Sequence, residues 1–385
     1  MIPYGRQSID ETDIAAVEAV LRSDFLTQGP VVPNFEARLA ELCQSQHAVA
    51  MNSATSALHV ACLALGLGPG DWLWTSPITF VASANCARYC GAKVDFVDID
   101  PQSFNLDPKA LAQKLVTAAQ KGTLPKVVVV VHMCGQPCDM APIHQLSQQY
   151  GFRVIEDASH ALGASYQGEP VGNGKYSDIT VLSFHPVKIA TSAEGGAALT
   201  QDPELAHTMT LLRSHGITRD PQRMATPPEG DWEYQQIMLG FNYRMTDVHA
   251  ALGLSQLRRL ESFLARRREW VRRYQVELAD LPLELPTESP GCESSWHLYV
   301  VRLNPQMTSC SRAQLFSHMR QQGIGVNVHY MPVYRQPDYR AFGILAENFP
   351  HAENYYQRAL SLPLYPDLTQ EQQDAVVLAL QEGLA

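Results

Sequence analysis

Lys126-Val127-Val128-Val129-Val130-Val131-His132 is the stretch that decides the fold. Five consecutive valines show no alternation of polar and apolar positions. β-branched side chains favour a strand, and a strand apolar on both faces must be covered on both, as in a parallel sheet between helix layers. Short apolar runs of the same kind recur at 48–51, 71–75, 94–97, 153–157, 179–184 and 196–200. Helical patterns separate several of them, at 55–65, 80–90, 108–119 and 142–150. Two helices come first. One follows Ser8-Ile9-Asp10-Glu11, a capping-type start, with Val17, Val20 and Leu21 on one face; the other spans 34–43 with Phe35, Leu39 and Leu42 inward. Alternating strands and helices predict an α/β fold around a mostly parallel sheet.

Beyond Met245 the texture changes. A single long helix is expected from 246 to about 279, carrying Arg258, Arg259, Arg266, Arg267, Arg268, Arg272 and Arg273. With a formal charge of −10 on the chain, this basic run reads as a solvated face whose arginine stems cover apolar surface, not as a nucleic-acid site. A Pro-rich break at 281–290 precedes strand patterns at 297–301 and 325–328, which suit a smaller α+β domain. At 385 residues, two domains are expected: residues 1–250 as a large cofactor-binding domain and 251–385 as a small C-terminal one. The first residues lack a signal-type apolar core and no apolar run is long enough to span a bilayer, so a cytoplasmic enzyme without a membrane partner is expected. Eight cysteines are scattered; Cys86/Cys90 and Cys134/Cys138 have i, i+4 spacing but no histidine pair at finger spacing, which favours buried reduced thiols over zinc.

Two residues carry the chemistry. Asp157 closes the apolar run Val154-Ile155-Glu156, where parallel sheets place their ligands. Lys188 follows Ser183-Phe184-His185-Pro186-Val187 and sits between apolar Val187 and Ile189, ahead of the irregular Thr191-Ser192-Ala193-Glu194-Gly195-Gly196. A lysine and an acid so placed suit pyridoxal phosphate (PLP), the lysine as Schiff-base partner and the acid on the pyridine nitrogen. A lone Asp often caps the next helix, but pairing with Lys188 favours the cofactor reading. Lys175, Lys126 and Lys93 are the competing lysines; Lys175, in the polar turn Gly172-Asn173-Gly174, is expected in solvent. Glu156 alternates with Asp157, so at most one of them faces the site.

Around this pair, Asn52-Ser53-Ala54-Thr55-Ser56-Ala57 joins a strand to a helix with small and hydroxyl residues, which suits a phosphate and equally suits plain N-capping. Ser183 offers a second hydroxyl. Phe80 is either a ring that stacks on the cofactor or a core aromatic; His160 either points to the site or is a satisfied core histidine.

In order and spacing, Leu26-Thr27-Gln28-Gly29-Pro30, Asn52 through Leu58, Gly68-Pro69-Gly70-Asp71, Thr79 through Asn85, Glu156-Asp157-Ala158, Ser183 through Lys188, Glu194-Gly195-Gly196 and Gly240-Phe241-Asn242-Tyr243-Arg244-Met245 together resemble the DegT/StrS sugar aminotransferases, which are fold-type I PLP enzymes. The resemblance covers essentially the whole chain. It implies Lys188 as the Schiff-base lysine, Asp157 as the pyridine partner, Phe80 stacked on the ring, and Ala54, Thr55 and Ser183 on the phosphate. It also implies that Asn242 reaches the phosphate of a neighbouring subunit, hence a homodimer with shared sites. Many relatives carry Gln where His160 stands.

Ile2-Pro3-Tyr4-Gly5-Arg6-Gln7, Ser159-His160-Ala161-Leu162-Gly163 and Val328-His329-Tyr330 resemble the branch that acts in pseudaminic acid synthesis. His185 and Ala193-Glu194-Gly195-Gly196 resemble enzymes that aminate C4 of the sugar. By that resemblance Tyr4, the loop Asp24, Phe25, Leu26 and Thr27, and the run Val328, His329, Tyr330 and Met331 line a nucleotide-sugar site. The implied reaction carries an amino group from glutamate, leaving 2-oxoglutarate, to a UDP-linked 2-acetamido-4-keto-6-deoxy sugar. Another 4-keto nucleotide sugar, or a regulatory protein that keeps the fold without turnover, are the other readings.

Overall fold

The computed structural model describes residues 1–384. Seven strands form the central sheet: β1 (His47–Met51), β2 (Trp72–Thr75), β3 (Lys93–Phe96), β4 (Val127–Val131), β5 (Arg153–Asp157), β6 (Ile179–Ser183) and β7 (Gly196–Thr200). Their order is β1-β7-β6-β5-β4-β2-β3. Pairs β6–β5, β5–β4, β4–β2 and β2–β3 are parallel, whereas β7 runs antiparallel to both its neighbours. The five valines of β4 are all buried, and alternate ones enter different cores. Val127, Val129 and Val131 pack with the helices Ala54–Ala64, Ala82–Tyr89 and Pro203–Arg213; Val128 and Val130 pack with Pro108–Lys121 and Met140–Tyr150. Burying each such side chain contributes about 1.5–3 kcal/mol, which is why the unbroken apolar run is tolerated only between two helix layers.

Several expectations need correction. The long basic helix is two helices, Asp247–Arg258 and Leu260–Glu277. The break at Arg259 (φ −102°, ψ 7°) aims its guanidinium at the first helix, Glu11–Leu21, where it meets Asp10 at 3.0 Å, the carboxylate of fully buried Asp13 and the carbonyl of Ser8. Nor is the basic face wholly solvated. Arg267 is buried and donates to the carbonyls of Trp296, His297 and Leu364 at 3.0–3.2 Å; burial lowers its pKa to about 9. Leu21 is exposed, because the first helix turns Asp13 and Val20 inward instead.

The C-terminal part contains a three-stranded antiparallel sheet of Leu283–Glu284, Tyr299–Leu303 and Ala359–Leu362, covered by helices Arg312–Gln321 and Gln370–Leu384. The expected strand at 325–328 is irregular. Only Asn327 bridges, to Ser361, because the N-terminal residue Ile2 takes the neighbouring backbone bonds with Gly323 and Gly325. Position 250 lies inside helix Asp247–Arg258, whose Ala250 and Leu257 share a core with Phe35, Leu39 and Phe184. Among the described residues, no helix is long and apolar enough to cross a membrane.

Candidate active site

Asp157 is the last residue of β5, in register with Val131 of β4 and Val181 of β6. Its carboxylate accepts the Ser83 hydroxyl on Oδ2 at 2.6 Å and the Ser159 N–H on Oδ1 at 3.1 Å. Glu156 points to the other face, as strand alternation requires. There it meets His132 Nε2 at 2.7 Å, Thr180 Oγ1 at 3.2 Å and the Ser177 hydroxyl. Burial pushes the Glu156 carboxyl up, but the bonds from His132, Ser177 and Thr180 outweigh it and hold the group below the usual range.

Lys188 lies in the loop after β6, its N–H bonded to the His185 carbonyl at 2.9 Å. The residue is half-buried, yet desolvation of its amine lowers the pKa to about 8 against the opposing pull of Asp157. The Lys188 charge helps lower the pKa of His160, His297 and His329, after burial. Two competing lysines have ordinary surroundings: Lys175 is exposed and paired with Glu169 at 2.8 Å, and Lys126 is paired with Asp71 at 2.9 Å.

Opposite this pair, Ser53 caps helix Ala54–Ala64 by accepting the Ser56 N–H at 3.1 Å. The first-turn N–H groups of Ala54 and Thr55 have no intrahelical acceptor. Gly196 of β7 registers with both Ser183 and Met51, and a Cβ on it would fall 2.3 Å from the Ala54 nitrogen. The missing side chain lets the Ser183 strand end and the helix start converge.

Phe80 is 58% exposed, which rules out a core role; its ring lies 6.3 Å from that of Tyr330. His160 is buried. Its Nδ1 accepts the Cys134 N–H at 3.3 Å, so the neutral ring carries its proton on Nε2, 3.2 Å from the Tyr330 hydroxyl. Burial, Lys188 and His329 hold His160 well below the usual range. His329 lies 5.2 Å from the Tyr4 ring, bonds Ser361 Oγ at 2.7 Å and is lowered to about 3 by burial and by Lys188. Val328 and Met331 flank this pair and are half-buried.

The single chain therefore gathers Lys188, Asp157, His160, Phe80, Tyr330, His329 and Tyr4. It does not gather everything the sequence proposed. Asp24, Phe25, Leu26 and Thr27 are exposed, and the loop is tied to the start of helix Asp247–Arg258: the Leu26 carbonyl accepts the Asp247 N–H at 3.0 Å, and Thr27 bridges Thr246. Asn242 is also exposed. Its run rests on the helix start at 54 through the Tyr243 carbonyl, which accepts the Asn52 N–H at 2.8 Å. Sequence reasoning assigned no role to Ser83 and Thr79, which stand under Asp157, or to buried His297, whose ring is 4.4 Å from His160. Hydroxyls among the small residues at the start of a short helix were the available signal; nothing local marks His297.

A lysine of lowered pKa, a buried carboxylate held by two donors, a helix start brought close to a serine, and an exposed aromatic ring fit PLP as a donor set. Fold and site together suit a PLP-dependent aminotransferase. The chain belongs to the DegT/DnrJ/EryC1/StrS aminotransferase family, whose model matches residues 7–381. It is 38% identical over 384 residues to the spore coat polysaccharide biosynthesis protein SpsC of Bacillus subtilis, covering 99% of this chain and 96% of that protein. It is 39% identical over 370 residues to a UDP-4-amino-4,6-dideoxy-N-acetyl-beta-L-altrosamine transaminase of Campylobacter jejuni, covering 96% and 93%. Among solved structures, Helicobacter pylori PseC, an aminotransferase involved in the biosynthesis of pseudoaminic acid, superposes with a TM-score of 0.90 at 30% identity, covering 100% of this chain and 99% of that one. The PLP form of Spr1654 from Streptococcus pneumoniae, described as a sugar aminotransferase, gives 0.88 at 29%, covering 100% of both chains. PLP is the cofactor.

Proposed function

We propose that the chain moves an amino group from L-glutamate to C4 of a UDP-linked 2-acetamido-2,6-dideoxy-hexos-4-ulose, as in pseudaminic acid synthesis. The observation that carries this reading is the His329–Tyr330 pair, with Tyr330 bonded to His160, in a chain that matches the Campylobacter transaminase over 96% of its length and PseC over all of it. Bound PLP supplies the electron sink for negative charge at the donor's α-carbon. Lys188 Nζ, its pKa lowered to about 8, would hold the cofactor and would move the proton at the donor's α-carbon. Asp157 holds a proton on the pyridine nitrogen. The helix start at Ala54 and Thr55, with Ser183, binds the phosphate, and Phe80 covers the ring face. His160 stays neutral and links the cofactor pocket to the sugar side through Tyr330.

A site that bonds the N-acetyl group leaves buried polar partners unpaired when that group is absent. We expect kcat/KM for the UDP-2-acetamido-4-keto-6-deoxy acceptor to exceed that for dTDP-4-keto-6-deoxyglucose by about 100-fold or more. Equal use of the dTDP sugar would move the substrate to another 4-keto nucleotide sugar.

We further propose a cytoplasmic homodimer, with residues 1–250 as the PLP-binding domain and 251–385 as the small one. Exposed Phe25, Leu26, Trp232 and Leu239, together with exposed Asn242, support a partner surface that completes the site. Hybrids of Lys188→Ala and Asn242→Ala subunits carry both lesions in one site and neither in the other, so mixing should restore part of the activity. Hybrids that form without any recovery would show that Asn242 serves its own chain.

A further inference from the structure

We infer that Thr79 and Ser83 form a directed hydroxyl chain that positions Asp157 against the pyridine nitrogen of PLP; the inference rests on the cofactor reading above. Ser83 is fully buried and Thr79 nearly so, and both lie on the turn that opens helix Ala82–Tyr89. Ser83 Oγ is 2.6 Å from Asp157 Oδ2, and Thr79 Oγ1 is 2.8 Å from Ser83 Oγ. An ionised carboxylate can only accept, so the one Ser83 proton goes to Asp157. The Thr79 contact then has one possible sense: Thr79 donates to Ser83. Each donation polarises the next, so the chain ends in a strengthened bond to the charged oxygen.

The other oxygen of Asp157 accepts the Ser159 N–H, and each oxygen keeps lone-pair capacity for the cofactor's ring N–H. Phe80 stands between the two hydroxyl residues in sequence and is exposed toward Tyr330. A single turn therefore presents the aromatic ring and holds the carboxylate. The Pro77 carbonyl accepts the Val333 N–H at 2.9 Å, which ties that turn to the segment carrying Tyr330. Ser83 and Thr79 touch neither cofactor nor substrate in this arrangement. They act through Asp157, as positioning residues.

Removing the Ser83 donor makes Asp157 a stronger base, so the ring proton moves toward the carboxylate. The ring nitrogen then withdraws fewer electrons, and the lysine–cofactor linkage becomes more basic. The test titrates the visible absorbance of PLP-loaded protein against pH and measures PLP dissociation. In Ser83→Ala the absorbance midpoint should rise, and the Kd for PLP should increase about ten-fold, the scale of one hydrogen bond to a charged group. Thr79→Val, which leaves Ser83 its proton, should shift the midpoint the same way by less, and it serves alone if Ser83→Ala does not fold. Ser83→Ala placed on Asp157→Asn should add little. A midpoint and Kd unchanged from wild type in either folded single variant would overturn the positioning role. Wild type that forms no borohydride-fixable PLP adduct on Lys188 would instead overturn the cofactor assignment, so the two failures are separable.

Discussion

Glu156 and Asp157 are neighbours on one strand, both 5% exposed, and they have opposite fates. On the Glu156 face, a histidine and two hydroxyls surround the carboxylate, and the whole group is closed into the core between β5 and helix Met140–Tyr150. On the Asp157 face, one hydroxyl and one backbone N–H hold the carboxylate, with accepting capacity left over and a lysine of lowered pKa nearby. Burial alone does not mark a functional acid. What marks it is capacity left unused by its fixed partners, facing a group whose own charge is disfavoured.

The comparison breaks hardest at Asp157. In Asp157→Asn, an amide cannot hold the ring nitrogen protonated, and turnover of the PLP-loaded enzyme should fall at least ~100-fold while the melting temperature changes little. Near-normal rates in a loaded variant would remove Asp157 from the chemistry.

Glu156→Gln should do the reverse. Removing the charge from the carboxylate that His132, Ser177 and Thr180 all bond should cost about 2 kcal/mol of stability, with kcat per bound PLP within a few-fold of wild type. The folded-state pKa of Glu156 is depressed, so its stabilisation is present above the unfolded value of about 4.3 and is lost as pH falls through the folded value. Denaturant midpoints measured across that acid range should therefore converge for wild type and Glu156→Gln. Parallel curves would show that the hydrogen bonds to the Glu156 carboxylate contribute nothing titratable.

The smallest effect concerns Lys188. A pKa of about 8 means that the folded state prefers the neutral amine, so capture of added PLP by apo-protein should accelerate with pH and level off above about 8. Between about 8 and the unfolded value near 10.4, the unfolded chain binds more protons, so this group makes stability rise with pH. Capture rates that keep climbing toward pH 10 would place the lysine in ordinary solvent.

Much of this was legible in the residues. The valine run and its flanking repeats predicted the sheet, and all seven strands lie within a residue or two of their expected places, because an apolar pattern of period two or none has few other solutions. The Glu156/Asp157 alternation and the preference for Lys188 over Lys175 followed from strand geometry and local polarity. The C-terminal part was less legible. A helix pattern running through Arg259 carries no local signal of a break, and the Asp13 carboxylate that its guanidinium meets lies almost 250 positions earlier. Arg267 looked like its solvated neighbours, and only the carbonyls of Trp296, His297 and Leu364 make its burial tolerable.

The sequence by itself determined the sheet, the lysine–acid pair and the resemblance to a family, because those depend on periodicity, residue chemistry and spacing along the chain. Tertiary structure alone decided which carboxylate is spare, that Ser83 and Thr79 stand under it, and that His160 meets Tyr330 from 170 residues away. Hydrogen-bond capacity is used up in three dimensions. No reading of neighbours in sequence can count what a fold brings from elsewhere.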